Sequence, residues 1–188
     1  MVKLIKCGSV HGANIILRQV ELKDAEFILS LRLHPIKKRF ISATSSDICT
    51  QENWIRDTLL KENEIMFIIT DKVKRKLGCI RMYNSNFQSY TWGSWLMIDG
   101  LSPSIAIESI AILFSYGKSL GYQSAMLDVR KENTSVWSFH EKYIGAKLIF
   151  ENELDRFYRL DSTEIDNFLS RHKHLLTEPL KILDPLSS

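Results

Sequence analysis

Between one apolar run and the next the chain reads Met97-Ile-Asp-Gly-Leu-Ser-Pro-Ser-Ile-Ala106. A strand that ends, a short glycine-containing loop and a strong helix start leave free backbone N–H groups pointing out of the helix. These groups and the helix dipole favour an anion there. Ser102 is also a plain N-cap and Pro103 a plain first helical residue, so a capping role and an anion site are both open. Asn133-Thr134 forms a second such point, where either residue is a competent cap. His140 sits in Trp137-Ser-Phe-His-Glu-Lys-Tyr143. It is either a semi-buried side chain or a proton donor near a developing thiolate. Asp99 and Glu108 are the acidic residues nearest the strand–helix junction. Asp99 also reads as a turn former, and Glu108 as an exposed helix residue. His11, His34, His172 and His174 show no metal pairing, and no metal site is expected. Trp92, Trp95, Trp137 and Phe139 serve a core or line an acceptor pocket.

The elements that must position these groups follow from hydrophobic periodicity. Strands are expected at 14–20, 65–70, 77–84, 90–98, 124–129, 147–151 and 157–160. Helices are expected at 22–33, ended by His34-Pro35, and at 51–63, capped by Thr50. Further helices are expected at 101–120, ended by Gly121, at 134–143, and from a Ser162 cap to about Leu176. The three strands between residues 65 and 98 form an antiparallel meander. The crossover through the helix at 101–120 makes a parallel pair, so the sheet is mixed.

The 188 residues carry 45% apolar and 25% charged side chains, an ordinary globular composition that suits one domain over 1–188. The expected core spans about 14–160, with a helical tail at 162–188. Lys and Arg number 25 against 22 acids, an excess of +3 that is too small to suggest nucleic acid. The densest basic run, Lys72-Val-Lys-Arg-Lys76, reads as a solvated hairpin loop. Cys7, Cys49 and Cys79 share no metal or disulfide spacing, which suits a reducing compartment. No membrane span is present and the first residues lack the apolar stretch of a signal peptide, so a cytoplasmic location is expected.

Taken together, the stretch from Trp95 to Phe150 resembles the GNAT superfamily of acyl-CoA-dependent N-acetyltransferases. Ile105-Ala-Ile-Glu-Ser-Ile-Ala-Ile-Leu-Phe-Ser-Tyr-Gly-Lys-Ser-Leu-Gly121 is similar to the branch acting on ribosomal protein N-termini and amino sugars. Val129-Arg-Lys-Glu-Asn133 with Gly145-Ala146, and the opening Leu17-Arg-Gln-Val-Glu-Leu-Lys-Asp-Ala25, also match. The resemblance covers about 14–160. It implies an α/β (α+β) fold with a mixed, mostly antiparallel central sheet flanked by helices, whose fourth and fifth expected strands splay apart. It implies acetyl-CoA as acyl donor, with pantetheine along Leu96, Met97 and Ile98. Pyrophosphate would rest on the loop of Ser102, Ser104, Ile105 and Ala106, and Asn133 would belong to the same donor site. His140, Asp99 and Tyr143 are then the catalytic candidates, Tyr143 replacing His140 if the register slips by one.

The family loop Arg/Gln-x-x-Gly-x-Gly/Ala stands here as Leu101-x-x-Ser104-x-Ala106. The Arg or Gln is missing, the central Gly is Ser, and Pro103 removes one N–H. The implied reaction is direct acyl transfer to a primary amine of a small molecule, with an amino sugar nucleotide as one acceptor class. A protein N-terminus is another, and a homodimer is compatible. The altered loop favours a third reading, a degenerate binding module of the same fold.

Overall fold

The computed structural model describes residues 2–86 and 88–184. In chain order the elements are β1 (Ser9–Gly12), β2 (Ile15–Gln19), α1 (Ala25–Arg32), α2 (Ile48–Leu60), β3 (Ile65–Asp71), β4 (Lys76–Asn86) and β5 (Ser89–Met97). Then follow α3 (Pro103–Ser119), β6 (Ser124–Arg130), α4 (Thr134–Phe139), β7 (Lys147–Glu151), β8 (Asp155–Asp161), α5 (Ser162–Arg171) and β9 (Leu176–Leu183). The strands form one sheet in the order β7-β8-β6-β5-β4-β3-β2-β1-β9. Every pair but one is antiparallel; β5 and β6, joined by α3, run parallel. This is the expected mixed, mostly antiparallel sheet.

Strand alternation builds a core on each face. On β3, Ile65, Phe67 and Ile69 join α3 and α5 on one side, around Trp92, Phe114 and Phe168. Met66 and Ile68 join α1 and α2 on the other, around Ile28, Ile55 and Cys79. Basic residues of the run at 72–76 lie in the β3–β4 turn, where Asp71 accepts from the amides of Val73 (3.1 Å) and Arg75 (2.8 Å).

The expected elements need several corrections. The cap of α2 is Asp47, not Thr50; its carboxylate accepts from the amides of Cys49 and Thr50, at 3.3 and 2.8 Å, and starts the helix earlier. Asp161, not Ser162, caps α5, and its amide donates to Glu164 at 3.1 Å. That helix ends at Arg171 instead of near Leu176, and the tail beyond is not helical: β9 pairs with β1 at the sheet edge. The sheet thus extends past both ends of the expected 14–160 core. Pro179 fits β9 because an edge strand tolerates a missing donor. The segment at 134–143 is α-helical only to Phe139 and continues as a π turn over His140–Ile144, closed by Gly145 at φ +90°. Residues 185–188 of the expected tail lie outside the described residues.

Candidate functional site

The site begins with one extra residue. On β4–β5, Cys79 pairs with Leu96 but Arg81 pairs with Gly93, so β5 bulges at Ser94, whose φ is +49°. A bulge reverses the in–out alternation beyond it. Before it, Tyr90 and Trp92 belong to the α3 core; after it, Trp95 and Met97 pack there and Leu96 crosses to the α1–α2 core. Beside the bulge, β5 and β6 stay paired only over Ser89–Thr91 and Ser124–Met126. From Trp92 and Leu127 onward they separate, because β6 remains with β8 as far as Arg130. The separation opens a cleft of about 430 Å³ whose walls include Trp92–Asp99, Leu127–Arg130 and His140. A free strand edge of this kind can take an extended, amide-bearing ligand as an added strand. A second cavity, of about 360 Å³, lies on the α1–α2 side between Arg32, Trp54 and Arg81. Ser94 and Leu96 line both spaces, so the two meet at the bulge.

No family model matches this sequence, and no curated protein matches it significantly. Solved structures do match. FdhC, described as a nucleotide-linked sugar GNAT and solved in its apo form, is 28% identical with a TM-score of 0.78, over 90% of this chain and 98% of that one. A GCN5-related N-acetyltransferase from Brucella melitensis is 12% identical, with TM-score 0.75, over 91% and 86%. Spermidine N-acetyltransferase from Vibrio cholerae, solved with CoA and spermine, is 16% identical, with TM-score 0.69, over 81% and 98%. This protein has the GNAT acetyltransferase fold.

Within this GNAT fold the cleft gathers Leu96, Met97, Ile98, Asp99, Ala106, Asn133 and His140 among the residues singled out in the sequence. It does not gather Ser102, Ser104, Ile105 or Tyr143 into its walls. The Ile98 amide already donates to Leu77 O at 2.8 Å. The Ser102 hydroxyl is engaged with the Ser104 hydroxyl at 2.8 Å and accepts weakly from the Ser104 amide at 3.4 Å. The Ile105 amide donates to Ser102 O at 3.0 Å. Asn133 precedes α4 without a side-chain cap bond.

His140 is 2% exposed. Its ring meets Trp92 edge-on at 5.3 Å, with Phe139 and Trp95 at 5.5 and 6.1 Å. Burial without an anionic partner pushes its pKa down to about 3. The imidazole is therefore neutral. Its Nδ1 and Trp92 Nε1 are both buried without a hydrogen-bond partner among the described residues. Tyr143 stacks on Phe139 and shares a 3.2 Å hydrogen bond with His172 Nε2. Asp99 is exposed and ion-pairs with Lys37 Nζ at 2.6 Å and His34 Nε2 at 3.2 Å. The Lys37 hydrogen bond holds its carboxyl below the usual range. The pair fastens the segment after α1, whose Ile36, Phe40 and Ile41 wall the cleft.

Glu108 is not an exposed helix residue. It is fully buried on α3, where its carboxylate accepts from the amides of Asn14 (2.6 Å) and Ile15 (3.0 Å) and from Asn14 Nδ2 (2.9 Å). Of the tryptophans, Trp92 and Trp95 reach the cleft; Trp137 instead packs under the Arg156 guanidinium at 4.3 Å.

Asp128 is the group that sequence reasoning missed. It lies on β6 in the wall of the cleft, accepting from the Tyr83 hydroxyl at 3.4 Å. Asp128 is an exposed residue, yet partial desolvation of the carboxyl by its neighbours and repulsion by Asp155 raise its pKa. A single Asp in an alternating strand gives no such signal in sequence, since Tyr83 and Asp155 come from other strands. Among the described residues no cluster of three or more His, Cys, Asp or Glu could hold a metal, and no helix is long and apolar enough to cross a membrane.

Proposed function

We propose that the protein is an N-acyltransferase that moves an acetyl or short acyl group from acyl-CoA to a primary amine of a small molecule. The observation that carries this reading is the meeting of two cavities at Ser94 and Leu96 of the β5 bulge. A donor in the cleft and an acceptor in the α1–α2 cavity would then touch at one point, which is what direct transfer requires. The cleft fits acyl-CoA along the free edge of β5 from Trp92 to Met97, and the orphaned Trp92 Nε1 and His140 Nδ1 are polar atoms awaiting a partner. The pyrophosphate would rely on the amides at the start of α3, near Ala106, with Asn133 at the opposite wall. Bound acyl-CoA would supply a thioester carbonyl open to attack by the amine: the C–N bond would form as the C–S bond breaks, CoA leaving as its thiolate and the nitrogen giving up one proton.

We assign Asp128 the role of accepting the proton that leaves the amine, since a raised carboxylate stands closer to the operating pH than a lowered one. Asp99 instead fastens the cleft cover through Lys37 and His34. His140, held neutral, orients the thioester end of the donor and does not supply a proton from an imidazolium. Tyr143 braces the π turn against α5. Because FdhC is described as a nucleotide-linked sugar GNAT, an acceptor screen would begin with amines on nucleotide-linked sugars.

Calorimetric titration with acetyl-CoA is the first test; binding in the micromolar range supports the reading, and none at millimolar donor sinks it in favour of a non-catalytic module. With an acceptor in hand, Asp128→Asn is expected to lower kcat by about 10²-fold or more while the donor KM stays. An equal effect from Asp99→Asn and none from Asp128→Asn would reverse the assignment.

A further inference from the structure

Among the described residues no acidic side chain lines the α1–α2 cavity, yet Arg32 and Arg81 do. Arg32, on α1, has no carboxylate within ion-pair distance among the described residues. Its Nε donates to Thr44 Oγ1 at 2.8 Å, and Nη2 reaches Ser42 Oγ at 3.0 Å. These neutral bonds fix the fork without neutralising it. Arg81, on β4, is 19% exposed and meets one carboxylate oxygen of Glu64 at 3.2 Å, an acid that also serves Lys61 at 3.6 Å. The Arg81 guanidinium lies 4.0 Å from the Tyr83 ring, and its Nε is buried without a partner. Burial weakens the Arg32 cation, and repulsion by Arg81 adds to that effect. Desolvated like charges left in one cavity are costly, and an oxyanion placed between them would offset the cost through forked hydrogen bonds. The Ser45 hydroxyl, which accepts from the Asp47 amide at 3.1 Å, adds a neutral donor to the same wall, whereas the Thr50 hydroxyl donates to the Asp47 carboxylate at 2.6 Å.

We propose that Arg32 and Arg81 form an oxyanion seat for the acceptor, so that the amine is presented by a molecule carrying a diphosphate or a carboxylate and not by a polycation. This rests on the acyl-transfer reading for the word acceptor, though the seat itself does not need it. Arg81 pairs with Gly93, one residue before the bulge, which places the seat beside the point where the cavities meet. The same charges argue against a polyamine such as the spermine bound in the Vibrio cholerae enzyme. A polycation would face two guanidiniums with no acid in the cavity wall to receive it.

The test is calorimetric titration with inorganic pyrophosphate, L-glutamate and spermidine, each with and without saturating CoA. Binding of pyrophosphate or L-glutamate in the presence of CoA is expected, the stronger of the two identifying diphosphate or carboxylate as the source. Arg32→Gln and Arg81→Gln should each weaken that binding about tenfold or more and leave CoA affinity alone. Arg32→Lys, which keeps the charge but not the fork, should weaken it less than Arg32→Gln. Anion binding that vanishes when CoA is present, spermidine binding in place of the anions, or full affinity in a folded Arg32→Gln protein would each overturn the seat. Failure of CoA itself to bind would overturn the acyl-transfer reading and leave the anion titrations without CoA to judge the seat.

Discussion

An imidazole enclosed by Trp92, Trp95 and Phe139 loses the water that would stabilise its cation, and no carboxylate replaces it. His140 is thus a poor acid at neutral pH despite its place in the cleft. The unfolded chain binds a proton on this ring at about pH 6.5, which the folded chain refuses until about pH 3. A depressed histidine pKa means that stability is complete above the unfolded value and falls as pH drops below it. Histidine NMR resonances should show one ring that does not titrate between about pH 5 and pH 8, missing from the spectra of His140→Phe. A midpoint near the ordinary value would restore His140 as the proton donor for the leaving thiolate. The Asp128 carboxyl differs in sign: its raised pKa places the acid limb of a pH–rate profile above the ordinary carboxylate value.

At the scale of elements, α3 is held against the sheet by contacts that admit no extra atom. A Cβ added to Gly117 would lie 2.7 Å from Tyr90 Cε1 and 2.9 Å from Cζ. Replacing glycine by alanine in a helix normally stabilises by up to about 1 kcal/mol. Here Tyr90 is fully buried and cannot yield, so Gly117→Ala should destabilise by about 1–3 kcal/mol in urea unfolding. A gain in stability would show that α3 can ride up from β5. The start of α3 was legible in the sequence because a serine cap and a first-turn proline are local signals, and so was the meander, whose apolar runs are separated by short polar turns. β1 was not, being four residues with one strong strand former, Val10. β9 was hidden by Pro179 and by a partner, β1, more than 160 residues away. The wall of the cleft beside β5 was partly legible, because Leu96, Met97, Ile98 and Asp99 are contiguous. The α1–α2 cavity was not, because Arg32 and Arg81 are assembled only by tertiary packing.

At the scale of the whole molecule, two cavities lie beside one strand and share Ser94 and Leu96 of its bulge as lining residues. Such an arrangement suits a ternary complex, in which both substrates are bound before the acyl group moves. A thiol stands beside the junction on Cys79, a buried residue in the wall of the α1–α2 cavity. Its Sγ donates to Ser94 O at 3.2 Å, the carbonyl of the bulge itself. Burial pushes the thiol up to about 12, so the thiolate needed for acyl-enzyme chemistry is scarce at neutral pH. Steady-state kinetics with both substrates varied should therefore give intersecting lines in double-reciprocal plots, not the parallel lines of a ping-pong route. Intact-mass analysis after mixing with acetyl-CoA alone should find no acyl adduct on Cys79, and Cys79→Ala should keep turnover within about threefold, the change expected from packing alone. Parallel lines, a Cys79 adduct, or loss of turnover in a folded Cys79→Ala protein would mean that the acyl group crosses the bulge on sulfur, and that the two cavities are used in succession and not together.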